Sequence, residues 1–335
     1  MGPKRQRIIL FGHGNMGRNH LRVLSEHPGV EVLAVVDPAL TDSELADPRS
    51  IFHRRIPDTL LEQADAFVVA TSTETHFEIA SALIPFRRPI LLEKPVSHRL
   101  DLALKLRDQA AKHGTEIRVS HPERLNPAVA KLKEVIDSGI IGVPVHFSFT
   151  RAGGYPSRVK SGNNVLIDLA VHDLDVLTLL AGAPAHLASV IHRSRSGDPV
   201  DTAEILLTTR SRASASLHVN WVTPTKIRTL RVTGTRGVCL VDYILQSCVL
   251  HGGNLLRSEQ GVGSDYRSLI EQYQSGDRLE FGVKRAEPLK VQLEQFVSIT
   301  SDPASPNLLC PLAESIAVLE IATRALEQGH EGVRA

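Results

Sequence analysis

The sequence predicts a two-domain α/β protein, with a doubly wound parallel sheet over residues 1–120 and a second domain on a mostly antiparallel sheet over residues 121–335. Two observations carry this. The first 120 residues alternate short apolar runs with segments of helical period, the pattern of βαβ units with helices on both faces of a parallel sheet. After Ser120 the texture changes to longer runs with period-two alternation, separated by tight Gly, Ser and Pro turns.

In order, "RIILFG" reads as the first strand, Met16 to His27 as a helix stopped by "PG", and "EVLAVVD" as the second strand. "AFVVAT", "PILLEK" and "EIRVS" read as later strands, separated by helices from Glu74 to Ile84 and from Arg99 to Lys112. "HPERLNPAVAKLKEVIDSG" reads as a helix closed by Gly139. The strands "VPVHFSFT", "HLASVIHR", "TAEILLTT", "ASASLHVNW", "IRTLRVTG" and "GVCLVDYI" then follow. Helices from Asn163 to Ala181, Glu287 to Thr300 and Leu312 to Gln328 are expected to cover one face of that sheet, and Gly252 to Leu279 to be a long loop.

Composition narrows the function. Across 335 residues, 38 Lys and Arg nearly cancel 37 Asp and Glu, so there is no global field to recruit nucleic acid or an anionic membrane. Cys239, Cys248 and Cys310 are odd in number and lack a C-x-x-C spacing, which argues against a disulfide framework or a structural zinc site and fits a reducing cytoplasm. The apolar run "IILF" is too short for a signal-peptide core, and no stretch approaches the ~18 apolar residues of a membrane span.

"FGHGNMGRNH" places Gly12, Gly14 and Gly17 in the spacing G-x-G-x-x-G between a strand and a helix, the context in which that motif holds a dinucleotide. Gly12 permits the tight turn, Gly14 lets the backbone approach a pyrophosphate, and Gly17 lets helix and strand pack closely. Asn15 and Met16 open the helix whose N-terminal partial charge meets the phosphates. Asp37 ends the second strand, where such folds place the acid that hydrogen-bonds the adenosine ribose. "PALTD" beside it offers no Arg or Lys for a 2′-phosphate, so the expected cofactor is NAD rather than NADP.

In an open parallel sheet ligands sit beyond the carboxyl ends of the strands. There the sequence puts Thr71, Ser72, Thr73 and His76, then Glu93, Lys94 and Pro95, then His121. A Lys held at the end of a buried strand beside a cationic nicotinamide is desolvated toward the range useful for acid–base work. Farther on, "LIDLAVHDLDVLTLL" has helical period and sets Asp168, His172 and Asp175 on one face, as suits a general base steadied by a carboxylate. The same trio suits a divalent metal, but hydride transfer to NAD needs none and no further ligand cluster is evident, so no metal is expected.

With "GHGNMGRNH", "EKP" and "DLAVHDLD" in this order, the chain resembles the oxidoreductase family that includes glucose–fructose oxidoreductase and inositol dehydrogenase. The resemblance implies an N-terminal Rossmann domain and a C-terminal α/β domain whose open-faced sheet pairs subunits into homodimers or homotetramers. It implies that Lys94 and His172 are the catalytic pair, with Asp168 close by, and that Arg124 joins Gly12, Gly14, Asn15, Met16, Gly17, Asp37, Thr71, Ser72, His76, Glu93 and Lys94 around the cofactor. "HPERLNPAV", "WVTPTKIRTLRVTG" and "VDYILQ" look like the family branch that oxidises the 3-hydroxyl of UDP-N-acetylglucosamine on the way to the diamino sugar of lipid A.

For such a nucleotide sugar, Lys94, Glu123, Asn126, Asn164, Asp168 and His172 are expected in the substrate pocket. Arg151, Arg158 and Lys160 of "RAGGYPSRVKSGNN", with Arg124, are expected to meet the pyrophosphate. The alternatives are a dehydrogenase of a free polyol such as an inositol, which needs no Arg-bearing loop, and a non-catalytic NAD- or sugar-sensing regulator, which needs no proton-transfer set.

Overall fold

A computed structural model of the protein describes residues 5–46, 51–154, 164–182, 186–194, 199–252 and 277–331. The chain forms two compact units, one of Met1–Leu125 with Glu287–Glu320, the other of Asn126–Ala286 with Ile321–Ala335.

In the first unit, β1 (Gln6–Phe11), β2 (Val30–Val36), β3 (Phe52–His53), β4 (Ala66–Val69), β5 (Ile90–Glu93) and β6 (Ile117–Ser120) make a parallel sheet in the order β3-β2-β1-β4-β5-β6. The order reverses between β1 and β4, so this is the doubly wound, dinucleotide-type topology. Central parallel strands are covered on both faces, hence unbroken apolar runs: Ile8, Ile9, Leu10, Phe67, Val68, Val69, Leu91 and Leu92 are wholly inaccessible. The helices are α1 (Asn15–Glu26), α2 (Asp42–Leu45), α3 (Asp58–Gln63), α4 (His76–Leu83) and α5 (Leu100–His113). In α1 the positions Gly17, His20, Leu21 and Leu24 fall on one buried face, at helical spacing.

The second unit has β7 (Pro144–Ala152), β8 (His186–Arg193), β9 (Thr202–Thr208), β10 (Ser214–Asn220), β11 (Ile227–Gly234), β12 (Gly237–Asp242), β13 (Ser247–Gly252) and β14 (Asp277–Phe281), ordered β14-β13-β12-β11-β7-β10-β9-β8. Every neighbouring pair is antiparallel except β7 with β10. One face is apolar and packs against α6 (Pro127–Asp137) and α7 (Val171–Ala181), burying Phe147, Phe149, Leu217, Trp221, Val232 and Val241. The other face carries residues such as Ile191, Leu206 and Leu240 in the open. β13 and β14 were not anticipated; β14 begins inside the stretch expected as a loop, whose residues 253–276 lie outside those described.

The closing segment departs from expectation. Helix α8 (Pro288–Ser301) does not cover the antiparallel sheet, because its apolar face, Leu289, Leu293, Phe296, Val297 and Ile299, enters the same core as Ile8, Leu10, Leu24 and Val35 of the first unit. Arg22 pairs with Glu287 at 2.5 Å and Gln6 donates to Ser301 at 2.9 Å, fastening both ends of α8. The two-residue strand β15 (Cys310–Pro311) then pairs antiparallel with β6. Helix α9 (Leu312–Glu331) belongs to the first unit as far as Glu320. The first unit runs to Leu125, a few residues past the division expected at Ser120, and takes in Glu287–Glu320 as well.

Within the second unit, Arg151 and Asp173 form a bidentate pair at 2.9 and 2.8 Å, with side chains 4% and 2% exposed, and the guanidinium lies 5.3 Å from the centre of the Tyr243 ring. A buried pair of this kind contributes little net stability, but removing one partner strands a charge. Arg151→Met should therefore lower stability by about 3–5 kcal/mol, and the double variant Arg151→Met, Asp173→Leu should restore most of it. Chemical unfolding of the three proteins checks both.

Candidate active site

The parallel sheet brings the carboxyl ends of β1, β2, β4, β5 and β6 to one edge, and most of the expected cofactor residues stand there. Gly12 has φ +97°, and a Cβ on it would overlap the carbonyl of Ala70. A Cβ on Gly17 would overlap the carbonyl of Gly12. Both glycines are thus demanded by the meeting of β1, β4 and α1. Gly14 differs: a Cβ there meets nothing within 4 Å, and the residue is exposed.

Gly14 is also the N-cap of α1, with no side-chain cap and no acid in the first turn. The positive end of the helix thus lies, uncapped, beside exposed Gly14, which fits the diphosphate of NAD. Asp37 follows β2, half-buried; its Oδ2 accepts from the backbone N–H of His13 at 2.7 Å and its Oδ1 from that of Ala39 at 2.8 Å. The carboxylate is therefore aimed along the glycine loop, and its remaining lone pairs suit ribose hydroxyls.

After β4, Ser72 is exposed and Thr71 half-buried, with Thr75 Oγ donating to Thr71 Oγ at 2.9 Å. His76 is only 1% exposed; its ring nitrogens lie 2.9 Å from the carbonyl of Pro95 and 3.2 Å from that of Thr71. Its ring is a clamp tying the end of β4 to the turn after β5. Burial pushes its imidazole below the ordinary value, against the pull of the Pro95 and Thr71 carbonyls.

Glu93 also turns inward. Its Oε1 lies 2.8 Å from His20 Nε2 and accepts from Ser120 Oγ at 2.6 Å, Ser120 Oγ accepts from Gln292 Nε2 at 2.9 Å, and Oε2 accepts from the Lys94 N–H at 3.2 Å. Burial alone raises the Glu93 carboxyl, but the hydrogen bonds from His20 and Ser120, with the charges of His20 and Lys94, outweigh it and hold the group below the usual range. Glu93 thus fixes the backbone that carries half-buried Lys94, next to a cis Lys94–Pro95 peptide. His20 went unnoticed as a participant, although its place on the apolar face of α1 marks it as buried.

In the second unit, Asn164 Oδ1 accepts from the N–H groups of Leu166 and Ile167 at 3.0 and 3.1 Å, so it holds the first turn of the helix. The helix opens with a π turn, Leu166–Ala170, before α7 continues regularly. Asp168 lies within that turn, accepting from Trp221 Nε1 at 3.2 Å. Asp168 and His172 are half-buried, whereas Asp175 is completely buried, so the three do not share one accessible face. The π turn departs from the 3.6-residue period on which that expectation rested.

Three further residues expected at the site have partners within the protein. Arg151 is occupied by Asp173, and Arg124, 2% exposed, pairs with Glu314 at 2.6 Å within the first unit. Asn126 caps α6 through the Ala128 N–H at 3.1 Å and donates to the Tyr243 carbonyl at 3.0 Å. Glu123 sits half-buried in the turn Pro122–Leu125, while Arg158 and Lys160 lie outside the described residues.

Comparison with known proteins places the chain in a family. Residues 6–121 match the oxidoreductase family with an NAD-binding Rossmann fold, and residues 129–239 match the Gfo/Idh/MocA C-terminal domain. The chain belongs to the Gfo/Idh/MocA oxidoreductase family. Its first unit is accordingly the NAD-binding domain. Inositol 2-dehydrogenase 2 of Saccharopolyspora erythraea is 30% identical over 224 residues, 63% of this chain and 66% of that protein. UDP-N-acetylglucosamine 3-dehydrogenase of Acidithiobacillus ferrooxidans is 25% identical over 240 residues, 71% of this chain and 74% of the relative. The solved structure of that dehydrogenase superposes with TM-score 0.79 at 21% identity, covering 96% of both chains. A 3-ketoreductase from Actinomadura kijaniata, in complex with TDP-benzene and NADP, superposes with TM-score 0.75 at 18% identity over 97% of this chain and 98% of its own. No described helix is long and apolar enough to cross a membrane.

Two outcomes follow from this geometry. Gly17→Ala should cost about 1–3 kcal/mol in unfolding free energy, because the added carbon meets backbone. Gly14→Ala should leave the unfolding midpoint unchanged yet weaken NAD binding about tenfold, as calorimetric titration would register. For His76, the folded-state value lies below the unfolded one of about 6.5, so the charged ring disfavours folding. Stability should be level above that pH and decline as pH falls through it, with a shallower acid-side decline in His76→Gln thermal melts.

Proposed function

We propose that this protein is an NAD-dependent dehydrogenase of a secondary alcohol on a sugar ring, and that its substrate is UDP-N-acetylglucosamine, oxidised at the 3-hydroxyl. The observation that carries the reading is Lys94, placed by Glu93 at the carboxyl end of β5 on the same sheet edge as the glycine loop. Bound NAD supplies the hydride acceptor. The protein residues supply the proton chemistry: Lys94 or His172 removes the hydroxyl proton as the carbonyl forms, and Asp168 steadies the charge of the histidine. The 25% identical UDP-N-acetylglucosamine 3-dehydrogenase supports the nucleotide sugar, and the product would feed diamino-sugar lipid A synthesis in the cytoplasm. The open face of the second sheet, with Ile191, Leu206 and Leu240 exposed, suits pairing of subunits into a homodimer or homotetramer.

A free polyol such as an inositol is the second reading. It is favoured by the 30% identical inositol dehydrogenase and by the engagement of Arg124 and Arg151 with Glu314 and Asp173, which takes two cations from the pyrophosphate argument. A purely sensing role has no use for Lys94, Asp168 and His172 together. Following NADH absorbance across UDP-sugars and inositols separates the two substrates. Activity on inositols with none on UDP-sugars refutes the nucleotide-sugar reading. Lys94→Met should lower turnover by a factor of about 10²–10⁴ while NAD still binds, and full activity in that variant would sink the assignment.

A further inference from the structure

Around the end of β2 the fold gathers basic side chains from three places in the first unit. Arg18 comes from α1, His13 from the glycine loop and Arg54 from the residue after β3. Each already has an acid or carbonyl partner. Arg54 donates to the Leu40 carbonyl at 3.1 Å and to Asp42 at 2.7 Å. His13 Nδ1 lies 3.0 Å from Glu44 Oε1, and Arg18 Nη2 lies 3.8 Å from the same oxygen. The His13 ring is backed by Phe52, 5.2 Å between centres, and its backbone N–H is the donor held by Asp37.

Glu44 is itself fixed. Its other oxygen accepts from both the N–H and the hydroxyl of Thr41 at 2.8 Å, while the Thr41 hydroxyl accepts from the Glu44 N–H at 3.3 Å, a capping box on the four-residue α2. The hydrogen bonds from Thr41, with a smaller contribution from the charge of His13, hold the Glu44 carboxyl below the usual range, so it is ionised at neutral pH. Asp37 and Glu44 thus flank one residue, His13, with two negative charges.

In this kind of domain the 2′ position of the adenosine ribose lies beside the acid that ends β2, and a 2′-phosphate there calls for an arginine. We propose that Glu44 is a specificity-determining residue for the dinucleotide: it ties up Arg18 and His13 and adds a second negative charge beside Asp37, so that NAD is accepted and NADP repelled. Among the described residues Arg18 is a cation of this cluster, and the carboxylate 3.8 Å from it belongs to a side chain outside the glycine motif. The inference rests on the dinucleotide lying along the glycine loop and is independent of the sugar.

The test is calorimetric titration of the full chain with NAD+ and with NADP+, for the unaltered protein, Glu44→Gln, and Glu44→Gln combined with Arg18→Gln. The amide keeps an acceptor for the Thr41 N–H and hydroxyl, so the capping box survives. Glu44→Gln should tighten NADP+ by about tenfold and change NAD+ by no more than about threefold. Adding Arg18→Gln should take most of that gain away. An unchanged ratio of the two affinities in Glu44→Gln would overturn the proposal, as would an equal loss of both, which would make Glu44 a helix cap only. A gain that persists without Arg18 overturns the role given to that arginine. Failure of the unaltered protein to bind either dinucleotide refutes the glycine-loop site itself, a result distinct from all of these.

Discussion

The closest constraint in the first unit is an approach of backbone to backbone. Gly17 lies against the carbonyl of Gly12, and Gly12 against the carbonyl of Ala70, with no room at either for a single carbon. That contact locks the first turn of α1 over the point where the strand order reverses between β1 and β4. Everything else at this edge depends on it: the uncapped helix terminus beside exposed Gly14, the His13 N–H aimed at Asp37, and the ends of β4 and β5 alongside. A side chain at Gly12 or Gly17 would lift the helix away and dissolve the arrangement.

A second theme is that many polar residues expected to meet ligands are engaged within the protein. His76, Glu93, Arg124, Asn126, Arg151 and Asn164 are each less than a tenth exposed, and each is engaged by a carbonyl, a carboxylate, a ring nitrogen or a main-chain N–H. Burial explains the pattern. A polar group taken out of water must find a partner at once, so the residues that reach deepest are the first to be consumed by structure. Thr71, Lys94, Asp168 and His172 are half-buried and Ser72 is exposed, so these side chains keep a part of their surface in water.

Much of the fold was legible because its signals are local. Continuous apolar runs marked β1, β2, β4, β5 and β6, and alternation marked β7 to β12, each within a few residues of the observed bounds. The glycine loop and Asp37 were legible for the same reason, since strand, loop and helix are contiguous. Illegible were β3 and β15, two residues each, and the destination of α8, whose helical period says that it buries a face but not which core receives it. The π turn at Asp168 was equally hidden, because it uses the same residue types as the α-helix it opens.

By itself, then, the sequence determined the two-sheet α/β class, the dinucleotide loop and the position of Lys94 at a strand end, all consequences of periodicity and nearest-neighbour sterics. Tertiary structure alone decided which charges are spent. Asp173 rather than Asp168 answers Arg151, Glu314 answers Arg124, and Glu44 draws Arg18 and His13 together beside Asp37. The physical reason is that a charge is neutralised by whatever lies within a few ångströms of it, and those neighbours are set by chain crossings tens to hundreds of residues apart, which no local pattern encodes.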